Sequence, residues 1–97
     1  MSADVQWSEQ VSDFTSAMAP DPKKKLRAAI RGLANDQGDI KDLAGELLGY
    51  KRLRVGTFRV IYRDAFENGR PVLKCIFAER RNVVYEIFAR MMMDDAS

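Results

Sequence analysis

The sequence predicts a small α+β domain: an antiparallel sheet with an N-terminal helical hairpin packed on one face and a short C-terminal helix, in the order β-α-α-β-β-β-α. Three observations predict it. Two hairpin signals, Gly56-Thr57 and Asn68-Gly69, stand between runs rich in β-branched and aromatic residues. Stretches before and after them repeat apolar residues at the i, i+3, i+4, i+7 spacing of a helix with one buried face. A chain of 97 residues, 46% of them hydrophobic, fills one core, so residues 1–97 read as a single domain.

Taken in order, Ala3, Val5 and Trp7 alternate with Asp4 and Gln6, the period of a short half-buried strand. Ser8 can cap a helix over 9–19, with Glu9 at its positive end and Val11, Phe14 and Met18 as its apolar stripe. Asp21-Pro22 reads as a second start, an N-cap followed by proline at the first helical position. Leu26, Ala29, Ile30 and Leu33 form that helix's buried face, and Gly38 ends it. Lys23, Lys24, Lys25, Arg27 and Arg31 fall on its wet side, a solvated face with a secondary pull on nucleic acid. Residues 39–49 read as a linker whose Leu43, Leu47 and Leu48 tuck under the sheet. After the basic hairpin, Pro71 opens a strand, and Val72 to Ala78, broken only by Lys74, is apolar enough to be covered on both faces. Asn82 can cap a last helix over 83–93, with Val84, Ile87, Phe88 and Met91 facing inward. Methionines 91–93 read as core and helix end, and Asp94 to Ser97 should fray.

Charge narrows the function. The net value is +2, but residues 1–49 hold 6 basic and 8 acidic side chains and residues 50–97 hold 10 and 6. A basic half on a small domain points to phosphate or acidic-peptide partners. The polar start and the lack of a long apolar run argue against a signal peptide and a membrane span. The single Cys75, in an apolar run, reads as a buried thiol suited to a reducing cytoplasm. The sequence has no histidine, which excludes Ser/His and Cys/His nucleophiles and, with one cysteine, a zinc site. Neither phosphate-loop glycine motif is present, so no metal and no cofactor are expected.

The most informative stretch is YKRLRVGTFRVIYR, residues 50–63, with five basic side chains and no acidic one. Gly56-Thr57 fits a type II′ turn, which sets Arg54 opposite Arg59 and Arg52 opposite Ile61. One face then carries Leu53, Val55, Phe58, Val60 and Tyr62. The other carries Tyr50, Arg52, Arg54, Arg59, Ile61 and Arg63. Like charges placed opposite each other repel, and the hairpin offers no carboxylate to offset them, so this face reads as a polyanion site. Arginine forks grip phosphate at two points and stabilise a pentavalent phosphorane better than a ground-state diester. Arg80 and Arg81 stand at a helix entrance, and Tyr85 follows in its first turn, where it can stack on a base or orient a hydroxyl.

LAGELLGYKRLRVGTFRVIYR, followed by an apolar strand and ERRNVVYEIF, resembles the RelE/ParE superfamily of type II toxin–antitoxin toxins over nearly the whole chain. Its most specific parts are LRVGTFRVIY and RRNVVYE. The RelE branch implies a ribosome-dependent mRNA endonuclease acting in the A site. There the 2′-hydroxyl attacks the adjacent phosphate, leaving a 2′,3′-cyclic phosphate and a 5′-hydroxyl. The ParE branch implies a non-nucleolytic toxin that inhibits DNA gyrase. A nucleic-acid or antitoxin-binding module whose cleavage has lapsed is the third reading. By resemblance Arg59, Arg81 (or Arg80, by a one-residue shift), Tyr85 and Arg52 take catalytic positions, and Lys51, Arg54, Arg63, Arg80 and Lys74 are phosphate-binding candidates. Arg52 stands where the family often has a lysine that removes a proton, and arginine is a poorer base. Lys51 is the adjacent candidate base but by alternation points to the opposite face, and Glu79, which falls at the family's arginine in an ungapped alignment, is a third. The partners implied are a cognate antitoxin, in a toxin–antitoxin hetero-oligomer, and mRNA on the ribosome, with no membrane. Arg59→Ala is expected to leave the fold intact, since only a repelling charge would be lost.

Overall fold

The computed structural model describes residues 3–96, with side chains as far as Met92; Met1, Ser2 and Ser97, and the readings placed on them, lie outside the described residues. The elements are β1 (Asp4–Trp7), α1 (Glu9–Ser16), α2 (Pro20–Gly32), β2 (Asp39–Asp42), β3 (Lys51–Val55), β4 (Phe58–Glu67), β5 (Arg70–Arg80) and α3 (Val84–Ala96). They form an α+β domain on one five-stranded sheet in the order β1-β5-β4-β3-β2. Two corrections follow. The sheet is mixed, because β1 runs parallel to β5. Residues 39–42, read as linker, are an edge strand paired with β3. Their alternation is visible in the sequence, but a four-residue strand beside glycines and charges has little propensity of its own and owes its form to β3.

The basic hairpin folds in the expected register, with Arg54 opposite Arg59 and Arg52 opposite Ile61. Gly56 takes φ +58° while Thr57 keeps an ordinary negative φ, as a type II′ turn requires. Asn68 and Gly69 both have positive φ, the type I′ pattern. β5 lies between β1 and β4, and Val72, Leu73, Cys75, Phe77 and Ala78 are buried as expected of a central strand. One register shift falls between Ile61 and Tyr62, which face Phe77 and Cys75 and leave Ile76 as a bulge. Ser8 meets it there: its Oγ donates to Ile76 O at 2.7 Å and accepts from Val11 N at 3.2 Å, so one side chain caps α1 and ties it to the sheet. The Gln10 side-chain amide donates to Ala78 O and accepts from Ala78 N at 2.7 and 2.8 Å, which prolongs the β1–β5 pairing beyond Trp7.

The helical hairpin covers one sheet face, where Val11, Leu26, Ile30 and Leu33 meet Leu53, Val60, Tyr62, Leu73, Cys75 and Ala78. At roughly 1.5–3 kcal/mol per fully buried aliphatic side chain, this contact holds α1, which at 8 residues is too short to stand alone. The helix bounds differ from the expected ones. α1 stops at Ser16, and α2 starts at Pro20 with Ala19 as its N-cap, so Asp21 sits in the first turn. Pro20 suits the first helical position as well as Pro22 does, and it pushes Ala19 to extended backbone (ψ 156°). α2 ends at Gly32, and a short 3₁₀ turn over Leu33–Asn35 carries the chain on to Asp36, which is left-handed at φ 55°.

The opposite sheet face holds a smaller core of Ile61, Phe77, Val84 and Phe88, with Tyr50, Leu43 and Leu47 packed against it. Leu48 does not join it and is 77% exposed. α3 begins at Val84, with Ile87 N donating to Val83 O, so Val83 rather than Asn82 stands at the N-cap. Met91 faces outward and Met92 takes the half-buried place. The helix continues to Ala96, through residues expected to fray.

Gly38 yields a direct test of the joint between α2 and β2. Its φ is +119°, and a Cβ there would stand 2.7 Å from Leu53 Cδ1. Gly38→Ala is expected to destabilise the domain by about 1–3 kcal/mol. Thermal melting would read that as a drop of roughly 4–8 °C per kcal/mol. An unchanged midpoint would show that β2 is not anchored through this position.

Candidate nucleic-acid interface

Side chains on one sheet face share a register, and four strands bring charges into one transverse row. Asp39 on β2 pairs with Arg54 on β3, Arg54 with Arg59 on β4, and Arg59 with Glu79 on β5. The next row reads Lys41, Arg52, Ile61, Phe77. The two facing arginines are therefore flanked by carboxylates on the neighbouring strands β2 and β5, which corrects the expectation of an uncompensated repulsion. Asp39 Oδ1 lies 3.4 Å from Arg52 Nη2 and its Oδ2 3.9 Å from Arg54 Nη1. Asp39 and Lys41 escape the reading of the sequence because residues 39–49 pass for a linker. The signal that marks them is the alternation Asp39-Ile40-Lys41, with Ile40 half-buried against the core.

Arg59 is the centre of the row and is only 7% exposed. Its Nη1 donates to Gly56 O and Phe58 O, both at 2.8 Å, so it clasps the turn that positions it. This corrects the expectation that the fold makes no use of Arg59. Burial first, then the charges of Arg54 and Arg52, hold its guanidinium below the usual arginine range; Arg81 adds to this and Tyr85 opposes it. Nη1 has spent both its hydrogens, and the fork carries three more on Nε and Nη2.

The end of β5 is tied to the same turn. Arg81 N donates to Thr57 O at 2.8 Å, and Val83 N to Arg80 O at 3.1 Å, which brings the chain into α3 beside Arg59. Val84 and Phe88 bury α3 against the sheet and leave Tyr85 at the rim, 38% exposed. Arg52, Arg54, Arg81 and Tyr85 thus gather around Arg59. The neighbouring residue Arg80 does not. It pairs with Phe58 and lines a groove of about 390 Å³ with Phe14, Met18 and Pro22, on the side of the helical hairpin.

The remaining candidates lie elsewhere. Lys51 faces away, as its alternation requires, and is ion-paired with Asp64 at 2.8 Å; that bond raises the lysine above its ordinary range. Arg63 and Lys74 face each other on the Arg59 side of the sheet, but four residues along β4 from Arg59 and so about 13 Å away. Lys74 is also held by Glu67 at 3.0 Å. Glu79, although it faces Arg59 in register, accepts the Arg80 backbone N–H with its Oε1 at 2.9 Å. Burial pushes the Cys75 thiol up to about 12, so it is no nucleophile. Among the described residues no cluster of His, Cys, Asp and Glu could hold a metal ion, and no helix is long and apolar enough to cross a membrane.

No family model and no curated protein matches the sequence. Solved structures do. The YoeB/ParE toxin from Agrobacterium tumefaciens superposes with a TM-score of 0.65 at 20% identity, covering 80% of this chain and 98% of that one. A chain of the toxin–antitoxin complex RelBE2 from Mycobacterium tuberculosis gives 0.69 at 19% identity, covering 84% and 93%. A chain of the archaeal RelE–RelB complex from Pyrococcus horikoshii gives 0.65 at 21% identity, covering 84% and 97%. The protein has the RelE-like fold that these chains share.

Proposed function

We propose that this chain, with the fold of RelE and ParE toxins, is the toxin of a type II toxin–antitoxin pair and cleaves mRNA on the ribosome. The observation that carries the reading is the gathering of Arg59, Arg52, Arg54, Arg81 and Tyr85 at one end of one sheet face. The 2′-hydroxyl oxygen attacks the adjacent phosphorus, and the bond to the 5′-oxygen of the next nucleotide breaks. A 2′,3′-cyclic phosphate and a 5′-hydroxyl result, so the step needs a proton acceptor, a proton donor and stabilisation of a phosphorane, and no cofactor. Arg59 and Arg81 stabilise the added charge. Arg54 and Arg52 hold the neighbouring backbone, and Tyr85 lies where a base or a transferring proton would be. The toxin works in the cytoplasm and is silenced by a cognate antitoxin bound as a hetero-oligomer. The antitoxin complexes among the structures of the same fold support that partner.

One observation favours the gyrase reading: a buried Arg59 with two backbone acceptors also fits a purely structural role. Induction of the chain in a bacterium, with separate assays of translation and DNA supercoiling, discriminates. Rapid loss of translation with mapped cuts in translated mRNA supports the nuclease. Lost supercoiling with intact mRNA supports the gyrase poison, and neither effect leaves a lapsed binding module.

The nuclease reading also fixes a salt dependence. If Arg52, Arg54, Arg59 and Arg81 each meet a phosphate, log affinity for single-stranded RNA should fall against log salt with a slope of about −3, at roughly −0.7 per contact. Filter binding over a salt series measures it, and a slope near zero would remove the phosphate contacts.

A further inference from the structure

Asp39 is stretched between two arginines and holds both at long range, with one long hydrogen bond, from Arg52 Nη2. Its contacts of 3.4 Å to Arg52 and 3.9 Å to Arg54 are long beside the 2.8, 3.0 and 2.8 Å of the pairs Lys51–Asp64, Lys74–Glu67 and Arg90–Glu86. Charge-assisted N–H···O bonds settle at about 2.7–2.9 Å. The deficit falls on Arg52, whose side chain is 13% exposed and whose Nε is buried with no hydrogen-bond partner. No other buried side-chain nitrogen or oxygen among the described residues is left so. A buried donor without an acceptor carries its full desolvation penalty. Asp39 itself is 55% exposed and sits on an edge strand, so its carboxylate can turn into water at little cost.

We propose that Asp39 is an internal counter-ion: in the free protein its carboxylate holds the place of a ligand phosphate between Arg52 and Arg54, and a nucleic-acid phosphate displaces it and takes up Arg52 Nε. Arg52 and Arg54 stand two residues apart on one face of β3, about 7 Å along the strand. A phosphate carries its non-bridging oxygens on a chain free to settle between the two forks, whereas the carboxylate is tethered to β2. A planar carboxylate fills one arginine fork, whereas a tetrahedral phosphate can offer oxygens to both, so two forks about 7 Å apart along β3 favour phosphate. The displaced carboxylate stays nearby and weakens the hold on any single phosphate. The inference rests on reading this face as a nucleic-acid site, but not on cleavage.

The test uses the intact chain and a short oligodeoxythymidylate, which lacks the 2′-hydroxyl and cannot be cut by the proposed route. On titration, the Arg52 Nε–H resonance of the ¹⁵N-labelled protein is expected to move downfield and to gain protection from solvent exchange. Asp39→Asn is expected to bind the oligonucleotide several-fold more tightly, with a salt slope steeper by about 0.7. Asp64→Asn, which removes the same charge from the opposite face, is expected to change affinity much less. An Arg52 resonance unmoved at saturation overturns the proposal. So does an Asp39→Asn protein that melts like the parent and binds no better, or an Asp64→Asn protein that gains as much. A glutamate-rich peptide that moves the resonance where the oligonucleotide does not would assign the pair to an acidic protein partner instead and overturn the phosphate. If Asp39→Asn does not fold, the Arg52 resonance of the parent decides alone. A chain that fails to cleave RNA loses the nuclease reading and leaves these outcomes as they stand.

Discussion

Arg59→Ala is expected to lose both cleavage and stability. Removing a charged donor from the reacting phosphate typically slows a reaction by about 10²–10³, and Arg59 is the arginine placed most firmly by the fold. Its neighbours Phe58 and Val60 face the other side of the sheet, and its own Nη1 bonds to Gly56 O and Phe58 O fix the guanidinium over the turn. Those two bonds are lost with the side chain. Bonds to a charged group contribute about 1.5–3 kcal/mol, and relief of the repulsion from Arg54 returns part of it. A net loss of about 1–2 kcal/mol would lower the melting midpoint by roughly 4–16 °C. Arg59→Lys keeps the charge without the planar fork, so its rate should fall nearly as far. Cleavage of translated mRNA and thermal melting are the two measurements. A folded alanine protein that cuts at the parental rate removes Arg59 from the mechanism and leaves the cleavage to other residues. One that melts like the parent shows that the turn does not depend on Arg59.

The hairpin was legible because its signal is local. A two-residue turn fixes the register of both strands, and the register alone decides which side chains share a face. That is why Arg54 against Arg59, the two faces and the outward turn of Lys51 all appear in the structure as the sequence implies. Features that depend on distant pairing were hidden. Asp39–Asp42 is a strand because β3 offers an open edge, and nothing within those four residues requires it. The parallel pairing of β1 with β5 joins residues nearly seventy positions apart, as Val5 with Leu73 shows. Arg80 and Arg81 could not be told apart because a one-residue step reverses the face. The Arg80–Phe58 pairing and the Arg81–Thr57 hydrogen bond separate them. The burial of Arg59 was hidden for another reason: an arginine that serves a turn and an arginine that serves a ligand look alike in sequence. This one does the first through Nη1, which bonds to Gly56 O and Phe58 O.

Tyr85→Phe is expected to slow cleavage by roughly 10²–10⁴ while leaving oligonucleotide affinity and melting close to the parental values. The chain has no histidine, Lys51 is turned away and ion-paired, and arginine gives up its proton too reluctantly to serve as a base. Glu79 has committed one oxygen to the Arg80 backbone, and Asp39 lies two strands away from Arg59, on the edge strand β2. Tyr85 remains as a hydroxyl within electrostatic reach of Arg59, on a helix that Val84 and Phe88 pin to the sheet. Phe88 meets Tyr50 edge-on at 5.1 Å and Phe77 at 6.1 Å, so α3 is held against the sheet face that carries Arg59. Loss of the hydroxyl leaves the ring, its packing and any stacking on a base unchanged. Single-turnover cleavage, compared with binding of an uncleavable oligonucleotide, separates the two contributions. A rate that falls with affinity intact assigns the hydroxyl to proton transfer. Near-parental cleavage by Tyr85→Phe, with rate and affinity lost together only in Tyr85→Ala, would assign the ring to stacking and leave the proton to Glu79.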